Sequence, residues 1–103
     1  MEHRNLYTGL VRLHLLHHSA EGPIFGQAMI DELGRHGYRL SAGTLYPILH
    51  NMERQGYLRS QATSRNGRTR RVYRATPVGR KALVIARMRV QELFGEMFER
   101  DKS

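Results

Sequence analysis

The chain has 103 residues, the length of a single domain, and we expect residues 1–103 to fold as one unit. It has no cysteine, which excludes disulfides, thiolate metal sites and thiol catalysis, and no apolar run approaches the roughly 20 residues of a membrane span. Its 17 basic residues outnumber its 9 acidic residues, and residues 1–5 show no signal-peptide pattern, so we expect a cytoplasmic protein with an acidic partner.

Two amphipathic helices are predicted in the first third of the chain. Leucines recur at spacings of three and four over residues 4–18, which is the pattern of a helix with one buried face. A break at residues 20–23 separates this helix from a second one, predicted over residues 24–36. The second helix is expected to end near Gly34 and Gly37.

A third helix, predicted over residues 41–55, has two contrasting faces. Ser41 is a good N-cap, whose hydroxyl we expect to accept a backbone N–H of the first turn, and Gly56 is expected to end the helix. Pro47 lies within it and is expected to bend or tighten its first turns. Apolar residues at helical spacing predict the buried face, which comprises Leu45, Ile48, Leu49 and Met52.

A β-hairpin with a strongly basic tip is predicted next. One strand covers residues 57–63 and the other covers residues 70–75, and the Asn66-Gly67 pair between them is a strong signal for a tight turn. Residues 54–89 contain eleven basic and no acidic side chains, so the excess positive charge lies in this part of the chain. Such a block favours a polyanion as partner, because each neutralised phosphate releases counterions.

A long helix over residues 77–100 is predicted to complete the fold. Thr76 is predicted as its N-cap, and Pro77 occupies its first position, where a missing N–H costs nothing. Apolar residues then repeat at alternating spacings of three and four, which is the pattern of a coiled-coil seam. Because three short helices offer little to cover this stripe, we expect it to hold a dimer together. The seam comprises Leu83, Ala86, Val90, Leu93 and Met97, and Phe94 widens it.

The order of these elements predicts a mainly α fold with a small β-hairpin. Residues 4–75 are predicted to form a winged helix-turn-helix, and residues 76–100 a C-terminal dimerisation helix. In such a fold the third helix enters the major groove of DNA, and the hairpin, called the wing (about residues 63–71), contacts the backbone. The candidate DNA-binding residues are Ser41, Ala42, Gly43, Thr44, Tyr46, Pro47 and His50 in the helix, and Arg65, Asn66, Gly67, Arg68, Arg70 and Arg71 in the wing.

Two segments of the sequence resemble the PadR-type transcriptional regulators. Residues 40–58 (LSAGTLYPILHNMERQGYL) resemble the recognition segment of that family, and residues 67–80 (GRTRRVYRATPVGR) resemble its wing and the start of its dimerisation helix. The resemblance runs from about Leu6 to Leu93. The chain departs from the family at Phe25-Gly26-Gln27, where His-Gly-Tyr is common, so side-chain roles at these positions do not carry over.

The resemblance implies a homodimeric repressor that reads a two-fold operator on double-stranded DNA. Only one helix follows the wing, so the chain is similar to the short subclass of the family. In the family the last helix packs with the first to form the dimer interface, which implies that Leu6 and Leu10 contribute to it here. Many family members respond to a small-molecule effector bound near this interface. Residues that could line such a pocket, or could equally form plain core, are Leu10, His14, Met88, Phe94 and Met97.

Three histidines of the first helix point to an alternative, a metal-responsive regulator. His14, His17 and His18 have the spacings of metal ligands on one helical face. We expect no carboxylate at ligand spacing on this helix, and the chain has no cysteine, so we predict no metal and no cofactor. A solvated or interfacial histidine cluster near the helix C-terminus is the simpler interpretation.

Two other functional classes are considered. An enzyme is not predicted, since no nucleophile–base pair, phosphate loop or paired carboxylates stand out, and Asp31-Glu32 is expected to be a lone exposed acidic pair. A non-specific architectural DNA-binding protein would share the basic wing. The predicted recognition helix, the third helix, argues against this class, because proteins that bind only the DNA backbone do not need one.

Overall fold

The computed structural model describes residues 4–99 and measures 60 × 31 × 20 Å. Helices and strands follow one another as α1 (Arg4–Glu21), β1 (Ile24–Phe25), α2 (Gly26–Arg35), α3 (Ala42–Arg54), β2 (Leu58–Arg65), β3 (Arg68–Ala75) and α4 (Pro77–Phe94). A π-helical turn (Gly95–Glu99) continues α4. The mainly helical fold with a hairpin before the last helix is therefore the one that the sequence predicts.

The three strands form one antiparallel sheet in the order β1-β3-β2. The predicted hairpin is present, but its strands extend to the turn itself, where Asn66 and Gly67 have φ of +54° and +76°. Both positive values suit a two-residue type I′ turn, which explains the Asn-Gly sequence. The prediction of a helix from residue 24 is wrong, because Ile24 and Phe25 extend and pair with β3 before α2 begins.

The core lies between α1, α3 and the sheet. Leu15, Leu45, Leu49 and Tyr73 are completely shielded from solvent, and Leu33 of α2 joins them. The predicted buried face of α3 is confirmed, with Ile48 half-buried at its edge. This packing leaves the opposite side of α3, including its N-terminal turn, on the surface of the molecule.

The C-terminus of α3 ends in a Schellman motif. Gly56 has φ of +88°, a conformation that glycine adopts without strain. The Gly56 N–H donates to the Glu53 carbonyl at 2.9 Å, and the Tyr57 N–H donates to the Met52 carbonyl at 3.0 Å. These are the two bonds of the motif, so Gly56 ends the helix as predicted.

The start of α4 is fixed against the end of α3. Thr76 caps the helix as predicted, since its hydroxyl oxygen accepts the Gly79 N–H at 3.0 Å. The Thr76 hydroxyl donates to the Gly56 carbonyl, and its N–H donates to the Tyr57 carbonyl at 3.0 Å. Gly79 lies so close to this carbonyl that a Cβ there would overlap its oxygen. The first turn of α4 is thus bound to the α3–β2 connection.

The C-terminal helix differs from its prediction near its end. Regular α-helix stops at Phe94, and the chain continues as a wider π-helical turn that begins at Gly95, a poor helix former. Residue 100, the predicted last residue of the helix, lies outside the described residues. No helix within residues 4–99 combines the length and hydropathy needed to cross a bilayer.

Candidate nucleic-acid interface

The N-terminal turn of α3 is open to solvent. Ser41, Ala42, Gly43, Pro47 and His50 are all exposed. The carbonyl of Ser41 accepts the first helical N–H groups, but its hydroxyl makes no capping bond and lies 3.4 Å from the hydroxyl of Thr44. The predicted side-chain cap is therefore wrong. An uncapped helix start keeps backbone N–H groups and the positive end of the helix dipole available to a phosphate.

Two predicted contact residues of α3 are only half exposed. Thr44 and Tyr46 are both half-buried, and the Tyr46 ring covers Gly26 at the start of α2 so closely that a Cβ there would overlap the ring. The Tyr46 ring also lies 6.3 Å from the ring of His50. Tyr46 therefore packs α3 against α2, and the exposed His50 ring lies next to it.

A polar bond between α1 and α3 holds the candidate recognition helix in place. The guanidinium of Arg12 donates to the side-chain carbonyl of Asn51 at 3.1 Å, across 39 residues of sequence. The bond is partly buried, which makes it stronger than an equivalent surface contact. It connects the helix that carries Leu6 and Leu10 to the helix that carries the exposed N-terminal turn.

The wing has two different faces. Residues opposite each other in β2 and β3 point to the same side, and side chains alternate along each strand. One face packs on the body of the protein through Leu58 and Tyr73. The other face, here called the outer face, carries five arginines: Arg59, Arg65, Arg68, Arg70 and Arg74.

Arg71 lies on the inner face and has protein partners. Its guanidinium donates to the Ser60 hydroxyl at 3.0 and 3.2 Å, and this hydroxyl donates to the Glu53 carboxylate at 2.8 and 2.9 Å. Arg70, on the outer face, has its guanidinium 5.6 Å from the ring centre of Phe25, a cation–π distance. Arg71 therefore braces the wing against α3, and Arg70 is partly held by β1.

Two exposed arginines, Arg59 and Arg74, were not among the candidates from sequence. They lie opposite each other on the outer face, at the base of the wing. The signal that could have found them is the register of the hairpin, which the Asn66-Gly67 turn determines. Counting back from that turn pairs residue 59 with residue 74.

Like charges oppose each other twice on the outer face. Arg65 is paired with Arg68 beside the turn, and Arg59 is paired with Arg74 at the base. Within residues 4–99, no carboxylate forms an ion pair with an arginine of the wing. Directly opposed like charges destabilise a hairpin. The outer face is thus an unneutralised positive surface, and a polyanion lying on it would relieve the repulsion.

The predicted dimer seam divides into a buried part and an exposed part. Leu83 is 8% exposed and belongs to the core of the single chain, so little of its side chain is open to a second copy. Ala86 is half-buried. The remaining predicted residues are about half exposed or more: Leu6, Leu10, Val90, Leu93, Phe94 and Met97.

A groove of about 460 Å³ runs between α1 and α4 beside this apolar surface. Its walls include Leu10, Leu13, Val90 and Phe94, with His14 on the α1 side. Met88 and Met97, also suggested from sequence as lining residues, do not line it. Within the described chain, the groove is open and mostly apolar.

The histidines of α1 lie in a larger cluster with α2. His14 stacks on His36 at 5.0 Å and on His18 at 6.3 Å, and burial together with the neighbouring imidazoles His36, His18 and His17 lowers the pKa of His14. Glu21 approaches His17 and His18 at 3.6 and 3.8 Å. The prediction of no carboxylate at ligand spacing on this helix is wrong.

Glu32 also belongs to this cluster and is not the lone exposed acid expected from sequence. Arg35 donates to its carboxylate at 2.6 Å and the His36 ring contacts it at 2.9 Å. These hydrogen bonds hold the pKa of Glu32 at about 2. The carboxylate also lies 3.7 Å from the Nε2 atom of His18. His17, His18 and Glu21 are the described residues whose donor atoms come close enough together to hold a metal ion.

Comparison with known proteins identifies the family. Residues 15–84 match the model of the transcriptional regulator PadR-like family. The transcriptional regulator Rv3488 of Mycobacterium tuberculosis is 50% identical over 94 residues, which cover 91% of this chain and 88% of that protein.

Solved structures agree with this assignment. A PadR family transcriptional regulator from Eggerthella lenta is 31% identical, with a TM-score of 0.73 over 93% of this chain and 88% of that one. A PadR-like transcriptional regulator from Bacillus cereus has the same fold, with a TM-score of 0.77 over 92% of this chain and 97% of that one at 19% identity. The chain therefore belongs to the PadR-like family of transcriptional regulators, which bind DNA and are not enzymes.

Proposed function

We propose that this regulator is a cytoplasmic homodimeric repressor that recognises a two-fold DNA operator. The N-terminal turn of α3 reads bases in the major groove, and the wing binds the flanking backbone. Ser41, Ala42, Gly43, Pro47 and His50 are the proposed groove-facing residues, because they are exposed on the uncapped side of α3. Thr44 lies at the edge of this set, and Tyr46 supports it from behind.

The unneutralised outer face of the wing is the observation that carries this proposal. Arg65 and Arg68 oppose each other next to Asn66-Gly67, so positive charge is concentrated at the turn end of the hairpin. Phosphates spaced along a DNA strand supply the missing counter-charge. Arg59 and Arg74 extend the proposed contact toward the base of the wing.

The dimer is proposed from the exposed apolar surface of α1 and α4. Leu93, Phe94 and Met97 are each about half exposed near the C-terminal end of the last helix. Leu10 of α1 and Phe94 both line the groove between α1 and α4. A second copy related by a two-fold axis would cover this surface with its own identical surface. The two α3 helices of such a dimer reach half-sites about one helical turn apart, roughly 34 Å.

A small-molecule effector is proposed to act through the groove between α1 and α4. Its apolar walls suit an apolar or aromatic compound, with the His14 ring as a polar contact. A compound in this groove would change the packing of α4 on α1. Because Arg12 links α1 to Asn51 of α3, such a change has a direct connection to the recognition helix.

Fluorescence anisotropy with two duplexes tests the proposal. One duplex is the intergenic DNA upstream of the gene for this protein, and the other has the same composition in scrambled order. At about 150 mM salt, which suppresses purely ionic attraction, we expect a preference of roughly 10³ or more for the natural sequence.

Equal affinity for the upstream duplex, the scrambled duplex and fragments covering the neighbouring genes would contradict the proposal. That result would favour an architectural DNA-binding protein, which uses the wing without base recognition. A Gly43→Glu variant provides the internal control, because it adds a negative side chain at the groove-facing turn where nothing crowds a new Cβ. It should lose the preference while keeping its fold.

A further inference from the structure

We propose that His17, His18 and Glu21 form a binding site for a divalent transition metal ion of the zinc type. The three residues occupy the last turn of α1 and present one donor atom each: Nε2 of His17, Nδ1 of His18 and a carboxylate oxygen of Glu21. These donor atoms all lie within 4.8 Å of one another.

The spacing of the donors fits tetrahedral coordination. Zinc binds histidine nitrogen and carboxylate oxygen at about 2.0–2.2 Å, which separates neighbouring ligand atoms by roughly 3.3–3.5 Å. The Oε2 atom of Glu21 lies 3.6 Å from Nε2 of His17, and its Oε1 atom lies 3.8 Å from Nδ1 of His18. Both separations are close to the tetrahedral value. Two imidazoles and one carboxylate leave a fourth position for water or another ligand.

A second carboxylate orients one of the ligands. The Nε2 atom of His18 lies 3.7 Å from Glu32 of α2, whereas its Nδ1 atom lies near Glu21. A proton on Nε2, facing the ionised Glu32, leaves the lone pair of Nδ1 pointing toward Glu21. This is the arrangement in which a carboxylate supports a metal-binding histidine through its other nitrogen. Arg35 and His36 both contact the Glu32 carboxylate, at 2.6 and 2.9 Å, and so hold it in place beside His18.

The position and exposure of these three residues suit a bound cation. The last turn of α1 carries the negative end of the helix dipole. The side chains of His17 and Glu21 are 41% and 64% exposed, so an ion from solvent reaches them.

The donor set selects the class of metal. Imidazole suits zinc, nickel, copper and iron, whereas magnesium and calcium prefer sites built only from oxygen. The absence of cysteine from the sequence removes the thiolates that select softer ions. Zinc is therefore the probe of choice.

Isothermal titration of the untagged full-length protein with zinc chloride at pH 7.5 tests the site. We expect one ion per chain with micromolar or tighter affinity. Glu21→Gln removes the carboxylate and should weaken binding by more than about tenfold, and so should His18→Ala. Glu32→Gln should weaken binding by about 10–100-fold through loss of orientation. His50→Ala, a histidine exposed on α3, is the matched control and should bind zinc as the parent does.

Cobalt provides a spectroscopic check of the same site. Cobalt bound by two imidazoles and a carboxylate in tetrahedral geometry gives visible absorption bands, which zinc should abolish by displacement and Glu21→Gln should remove. Absence of binding by the parent protein would overturn the proposal. Binding that survives Glu21→Gln but is lost in His36→Ala would also overturn it, because the ion would then lie on the stacked His14–His36 pair. Circular dichroism confirms that each variant is folded.

Discussion

Arg65 and Arg68 lie directly opposite each other across the two-residue turn of the wing. Neither arginine forms an ion pair within the described part of the chain, so the hairpin brings two positive charges together at its tip without compensation. A designed hairpin would place opposite charges at such a pair for stability. The repulsion between the two arginines lowers the stability of the free protein, and under the proposed function DNA phosphates would neutralise this charge.

The first prediction concerns the salt dependence of DNA binding by an Arg68→Ala variant. If Arg68 contacts a phosphate, the variant should bind all duplexes more weakly, and the slope of log K against log salt should fall by about one unit. Its melting temperature should stay equal or rise slightly, because one member of a repulsive pair is gone. Anisotropy titrations at several salt concentrations and thermal denaturation measure the two effects.

Arg71→Ala is the control for this experiment. Arg71 lies on the inner face and donates to Ser60, so its removal should leave the salt slope nearly unchanged and lower the melting temperature instead. If the salt slope changed for Arg71→Ala and not for Arg68→Ala, the inner face of the wing, rather than the outer face, would be the one that contacts DNA.

The second prediction concerns the dimer interface. Leu93→Asp places a charge in the centre of the exposed apolar side of α4, where a second copy would otherwise bury it, so we expect a monomer in sedimentation velocity. Val84→Asp is the matched control, since Val84 is similarly exposed but lies on the opposite side of the helix by helical spacing. A Leu93→Asp protein that still sediments as a dimer would show that the interface lies elsewhere.

The third prediction tests the close contact at the start of α4. Gly79→Ala adds a Cβ that overlaps the Tyr57 carbonyl oxygen, so α4 must shift away from the α3–β2 connection. We expect a loss of about 1–3 kcal/mol in the free energy of unfolding and a fall of roughly 5–15 °C in melting temperature.

Gly34→Ala is the matched control for this substitution. Gly34 is also helical, but nothing crowds a Cβ there, so alanine should stabilise the protein by about 0.5–1 kcal/mol through helix propensity. Both variants are compared by thermal denaturation at one protein concentration, since dimerisation makes the melting temperature depend on concentration. Equal effects of the two substitutions would mean that α4 does not rest on Tyr57.

The fourth prediction concerns the pH dependence of stability through Glu32. Hydrogen bonds from Arg35 and His36 depress the pKa of Glu32 to about 2 from its ordinary value of 4.5. A depressed pKa stabilises the folded state above the unfolded pKa, and this contribution disappears as the pH falls from about 4.5 toward 2. The melting temperature of the parent should therefore exceed that of Glu32→Gln at pH 6, and the difference should shrink across this interval. A difference that grows on acidification would contradict the assignment.

The elements that depend on short-range relations between residues were predictable from the sequence. The Asn66-Gly67 turn, the Gly56 helix end, the Thr76-Pro77 helix start and the buried face of α3 all follow from the conformational preferences of residues a few positions apart. The concentration of positive charge in residues 54–89 and the family resemblance follow in the same way from reading the chain alone. These features were enough to predict the fold class and the kind of partner.

Tertiary structure decided which side chains are free to act. Arg71 is bound to Ser60 while Arg59 and Arg74 stand on the outer face, because strand register assigns each residue to a side of the sheet. Packing between distant segments placed Leu83 in the core and Tyr46 over Gly26, and it brought Glu32 to His18. Such contacts join residues far apart in sequence, so no local pattern encodes them, and they form only when the whole chain folds around one core.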